Sequence, residues 1–191
     1  MIIGEPSVFA VESSITEAYE ELYLRALGFF VIYVDGLFYG RRSANSTMLA
    51  RSFDEVGNRI AMRGSHVVPF VAETDAGRIA TAFRNAIYGE EQKASYFDIP
   101  LSQFMGMIYS KRIVWAPDGD EAFDDGSYVL QFDVQDQVRL IAFKTVTCHP
   151  YDLATIREIC LPADEFYGLL QRWHGAFENE WASLPKRRGT Y

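Results

Sequence analysis

The run Leu27-Gly28-Phe29-Phe30-Val31-Ile32-Tyr33-Val34 constrains the fold more than any other stretch. It stops at Asp35-Gly36 and resumes as Leu37-Phe38-Tyr39. Aromatic and β-branched side chains in such a run fit a pleated strand. The Asp-Gly pair supplies the two positive φ angles of a type I′ hairpin turn. The chain therefore builds an antiparallel sheet, and the rest of the sequence has to cover it. Residues 8–15, rich in Val, Phe and Ile, predict a strand before this hairpin. Residues 128–134 and 138–146 predict a second antiparallel hairpin through Gln135-Asp136-Gln137, and residues 113–116 a strand closed by Pro117. A short strand is expected at 67–71 despite Pro69. In 155–161, Ile156, Ile159 and Cys160 have helical spacing, but β-branched content and the following Pro162 favour a strand.

Helical periodicity marks the covering elements. Ser52 and Glu55 read as an S-x-x-E capping box ahead of Phe53, Val56 and Ile60, with Gly64 beyond. Residues 76–88 carry the stripe Ile79, Phe83 and Ile87, with Thr74 or Asp75 as the cap and Gly89 as the stop. The last helix begins at Pro162, with Asp164 and Glu165 set favourably against its dipole. Phe166, Leu169, Leu170, Trp173, Phe177 and Trp181 form its apolar stripe up to Leu184-Pro185, and Lys186-Arg187-Arg188 follows as a short basic tail. Residues 90–107 give no ordered reading. The expected fold is α+β: an antiparallel β-sheet built from hairpins with two or three packed helices, one of them a long C-terminal helix, in a single globular domain over residues 1–191.

Composition narrows the function. At 49% hydrophobic and 15% aromatic over 191 residues, the chain is too apolar to be disordered. Its formal charge of −8 opposes phosphate backbones and anionic lipid, and favours a basic protein partner. The only cysteines, Cys148 and Cys160, are too few for a disulfide framework and, sitting among apolar residues, read as reduced, buried thiols, although a bridge between them stays open. The start of the sequence lacks a basic, then apolar, export signal, and no run approaches the ~20 apolar residues of a membrane span. A cytoplasmic location without a membrane partner is the expectation.

Catalytic and metal motifs are absent. His66, His149 and His174 are far apart in sequence, and no H-E-x-x-H, C-x-x-C, G-x-S-x-G or phosphate-binding glycine motif occurs. Cys148-His149 with Cys160 would offer three soft ligands without a fourth. His174 and Glu178 stand at i, i+4, a spacing that surface pairs adopt routinely. The loop 118–126 resembles a calcium loop but places Ala122, Phe123 and Val129 where an EF-hand needs a ligand, a glycine and a glutamate. No catalytic residue, cofactor or metal is expected. The alternatives are a small hydrolase or metal-dependent enzyme using His149 or His174, and a structural or self-associating module such as a homodimer.

One region is chemically lopsided. No Lys or Arg falls between Arg112 and Arg139, whereas seven acids do. Acids that steer and aromatics that anchor suit a basic protein. The candidate partner-binding residues are therefore Asp118, Asp120, Glu121, Phe123, Asp124, Asp125 and Tyr128, set against the reading of a solvated hairpin loop.

Two stretches carry a family likeness. The opening Met1-Ile2-Ile3-Gly4-Glu5-Pro6-Ser7-Val8-Phe9-Ala10, with the strand Leu27 to Tyr33 behind it, resembles the immunity 42 family of bacterial polymorphic toxin systems. So does Leu161-Pro162-Ala163-Asp164-Glu165-Phe166-Tyr167-Gly168 leading into Trp173 and Trp181. The family opening more often reads Gly-Asp-Pro, where this chain has Glu5. The resemblance implies a cytoplasmic protein that binds and neutralises a cognate toxin, for which a basic nuclease would fit the negative charge. It assigns no catalytic or binding residue.

Overall fold

Asp35 and Gly36 form the two-residue turn that their sequence demands, with φ of +46° and +80°. The computed structural model describes residues 1–89, 92–115, 121–145 and 153–189. Its first sheet runs in the order β1 (Ile2–Glu5), β2 (Phe9–Tyr19), β3 (Ala26–Val34), β4 (Leu37–Tyr39), antiparallel along that path. A short β5 (Thr47–Met48) also pairs with β3. Where β2 meets β3 the register shifts between Ile15 and Glu17. Thr16 is the extra residue of this bulge, and its hydroxyl donates to the Leu27 carbonyl at 2.9 Å. The adjacent Gly28 is obligatory for space, since a Cβ there would lie 1.8 Å from the Ser14 carbonyl oxygen.

Two helices follow, α1 (Ala50–Ala61) and α2 (Ala76–Tyr88). A minimal hairpin, β6 (Ser95–Tyr96) and β7 (Ile99–Pro100), then leads into α3 (Leu101–Ser110). The second sheet is β8 (Ser127–Val134), β9 (Gln137–Lys144) and β10 (Arg157–Pro162), in the order β10-β9-β8 and wholly antiparallel. The chain then forms α4 (Ala163–Ser183) and a terminal β11 (Lys186–Arg187) that pairs parallel with β2.

β8 and β9 are covered on both faces, which is why they are buried along almost their whole length. Val129, Val138, Leu140 and Ala142 face one cluster, shared with the first sheet, α1 and α4. Leu130, Phe132, Ile141 and Phe143 face another, formed by α2 and α3. Asp75 caps α2 by accepting from the N–H groups of Gly77 (2.8 Å) and Arg78 (3.2 Å).

Several expectations are corrected. Ser52 and Glu55 do not cap α1: the helix starts at Ala50 without a side-chain cap, so both residues lie inside it and are buried. Residues 67–71 are not a strand. Pro69, without an N–H to donate, opens a three-ten turn over Pro69–Ala72, and Arg139 Nη1 fastens this segment to β9 through the carbonyls of Val71 (2.9 Å) and Glu73 (2.6 Å). Residues 113–115 make a single bridge, Val114 to Leu130, in place of a strand. The basic tail is partly structured as β11.

The stripe of α4 is core at its centre and half-buried at its end. Trp173 is fully enclosed, 5.1 Å from the rings of both Phe30 and Phe177, and its indole N–H donates to Ser13 Oγ at 3.1 Å. Trp181 is only partly buried and donates to the Arg25 carbonyl at 2.7 Å. Trp173→Ala is therefore expected to cost about 3–5 kcal/mol and Trp181→Ala less, as measured by urea denaturation. Equal costs for the two would contradict this division of the stripe.

Candidate functional site

The polar side of α1 anchors a buried network that leads to a groove. Glu55 and Arg59 stand at i, i+4, and the Arg59 guanidinium is 0% exposed. Its Nε lies 3.0 Å from Glu55 Oε1. Its Nη1 donates to Gln131 Oε1 at 2.8 Å, and its Nη2 to the carbonyls of Val114 (2.6 Å) and Arg112 (3.2 Å). The Trp115 ring centroid is 4.9 Å from the guanidinium carbon. Burial pushes the pKa of Arg59 down to about 10, which still leaves it charged at neutral pH.

From Gln131 the network continues across the molecule. Gln131 Nε2 donates to the Tyr167 hydroxyl at 2.9 Å, and that hydroxyl donates to Asp133 Oδ1 at 2.7 Å. Burial, reinforced by Asp133, raises the Tyr167 phenol well above its ordinary pKa, so it remains a donor. Asp133 Oδ2 accepts from the His66 backbone N–H at 3.0 Å, and His66 Nδ1 meets the Lys111 carbonyl at 2.8 Å. A carbonyl can only accept, so Nδ1 carries the proton.

The outer end of the network opens into a groove of about 480 Å3 between α1, α2 and α3. Phe83, Ile87, Ile108 and Val114 supply its apolar lining, Tyr88 and Tyr109 its aromatic rim, and the Glu55–Arg112 ion pair its polar end. Tyr109 is 62% exposed and Tyr88 37%. Such an aromatic and arginine composition is typical of residues that dominate binding energies.

The acidic stretch divides on inspection. Asp118 and Asp120 lie outside the described residues, whereas Glu121 and Asp124 are exposed. Asp125 is engaged, 2.6 Å from Lys144 Nζ and accepting from the Ser127 N–H at 3.2 Å. Phe123 is not an exposed anchor: it is 7% exposed and packs edge-on to Phe30, 6.2 Å between centroids. A large apolar ring in a short loop gains more by entering the adjacent core than by facing water. Tyr128 is half-buried among Phe83, Tyr88 and Phe143, which places it beside the groove.

The other candidates separate. His149 and Cys148 lie outside the described residues, and Cys160 is a free, exposed thiol, where a buried one was expected. His174 stacks on Phe53 at 3.8 Å, while Glu178 pairs with Arg25 at 2.5 Å, so this helix pair is divided between two partners. Among the described residues no three His, Cys, Asp or Glu side chains form a metal-binding group, and no helix is long and apolar enough to cross a membrane. The groove and the buried network were not foreseen. Their visible signal was the Ser52, Glu55, Arg59 spacing, which places polar residues beside the apolar stripe of α1.

The family model described as Immunity protein 42 matches residues 1–176. No curated protein matches the chain. Among solved structures, the crystal structure of CdiI from Burkholderia dolosa AUO158 is similar with a TM-score of 0.56. The likeness spans 92% of this chain and 99% of that one at 13% identity, and it is a likeness of fold.

The two described histidines make stability depend on pH. Burial lowers the proton affinity of His66, and the Arg59 charge lowers it further. Burial also lowers that of His174, with Glu178 offsetting part of the shift and Arg25 adding to it. Unfolded histidines protonate near 6.5 and the folded ones below it, so under that pH the unfolded chain binds more protons and stability is lost. The melting temperature is expected to fall between about pH 7.5 and 5.5, and to fall less in a His66→Asn/His174→Gln double variant. Identical slopes for the two proteins would contradict the assignment.

Proposed function

The chain belongs to the Immunity protein 42 family, and from that membership we propose that it neutralises a cognate bacterial toxin domain by binding it, with no catalysis of its own. The observation that carries this reading is the family match over residues 1–176. The fold shared with CdiI is consistent with it. So are the roles of the described histidines: His66 has one ring nitrogen committed to a backbone carbonyl, and His174 is stacked on a phenylalanine.

The acids at 118–125 steer the encounter. Exposed carboxylates such as Glu121 and Asp124 act at long range and accelerate approach of a basic surface, while buried contacts set the lifetime of the complex. A cationic toxin, such as a basic nuclease, fits the formal charge of −8.

The test is binding kinetics against the cognate toxin domain. Neutralising Asp118, Asp120, Glu121 and Asp124 to Asn or Gln is expected to leave the melting temperature unchanged, slow association at low salt and flatten its salt dependence. Phe123→Ala, in contrast, is expected to reduce stability by about 3–5 kcal/mol, as buried phenylalanines do. Association rates equal to wild type at every ionic strength would remove the steering role. No association and no protection by the wild-type protein would overturn neutralisation itself.

A further inference from the structure

α3 ends in a paired closure. The Ile113 N–H donates to the Ile108 carbonyl at 3.0 Å, and the Arg112 N–H to the Tyr109 carbonyl at 3.1 Å. In this Schellman geometry the residue before the last donor is left-handed and usually glycine. Here it is Arg112, with φ of +48°. An arginine tolerates that conformation only at a cost in strain, and strained backbone concentrates at functional positions.

The strained turn sets a guanidinium at the polar end of the groove. Glu55 is shared by Arg59 from inside and Arg112 from outside, so among the described residues of that ion-pair cluster two cations face one carboxylate. The Arg112 side chain stays 38% exposed. Beside this excess positive charge lie an apolar floor at Ile108 and Val114 and the exposed ring of Tyr109.

We infer that this groove is the anchoring pocket for the toxin partner, and that its occupant is an apolar side chain of that partner flanked by a carboxylate, which pairs with Arg112. The inference rests on the neutralising role proposed above and names the contact that would hold the complex. Charge complementarity selects the occupant: a basic anchor would meet the guanidinium, whereas a carboxylate shares it with Glu55. The acidic stretch and the cationic groove have opposite sign, so together they admit a partner in one orientation.

Arg112→Gly isolates this function, because glycine suits the left-handed turn while removing the guanidinium. The variant is expected to melt within about 4 °C of wild type. Tyr109→Ala removes an exposed ring and should leave the fold equally intact. By biolayer interferometry against the cognate toxin domain, each variant is expected to bind about tenfold more weakly or worse, mostly through faster dissociation. Arg112→Glu should weaken binding further, and Arg112→Lys should restore part of it. Wild type binding tightly with Arg112→Gly and Tyr109→Ala within twofold of it would overturn the anchoring pocket and leave neutralisation standing. A wild-type protein that neither binds nor protects would overturn the neutralising role, and the pocket with it.

Discussion

The buried guanidinium of Arg59 is the constraint on which the remaining architecture depends. A cation removed from water is tolerated only where its hydrogen bonds and charge are met in place. Gln131 and the carbonyls of Arg112 and Val114 accept from its two Nη groups, while Glu55 and the face of Trp115 meet its charge. The partners come from three pieces of the chain, so α1, β8 and the segment after α3 are fixed relative to one another. Through Gln131, Tyr167, Asp133 and His66 the same network reaches α4 and the connection after α1. Replacing Gln131 with an apolar residue would strip both Arg59 and Tyr167 of a partner, which is why such networks behave as units.

The same network gives the groove its polar end. Glu55 is held on one side by Arg59, so its free side is available to Arg112. The left-handed turn at Arg112 then brings that side chain back toward α1. A rigid interior charge and a strained surface turn thus place one accessible guanidinium against an apolar floor. At the proposed pocket such pre-organisation would favour recognition, because the side chains concerned would lose little freedom when a partner arrives.

What could be read from sequence was what short-range chemistry decides. Asp35-Gly36 dictated its turn, Asp75 and Gly89 bounded α2, and the apolar stripe of α4 ran where its spacing required. Ser52 and Glu55 misled because a capping box and a pair facing inward share one spacing, and only tertiary partners distinguish them. Phe123 was read with its acidic neighbours, although its own burial outweighed theirs. The pairing of β11 with β2 and the route from Arg59 to His66 join residues distant in sequence, and no local pattern announces such contacts. Of the candidate groove the sequence therefore showed only separate parts: the polar spacing on α1, Phe83 and Ile87 in the stripe of α2, and Tyr128 at its side.

Neutralisation by occlusion differs from neutralisation by chemistry in its stoichiometry. The decisive measurement is a calorimetric titration of the toxin domain with this protein, with residual toxin activity followed in the same samples. Binding without catalysis predicts that heat and inhibition both saturate at one equivalent, and that toxin separated from the complex recovers its activity. Complete, lasting inactivation at a small fraction of an equivalent, with no persistent complex, would contradict it.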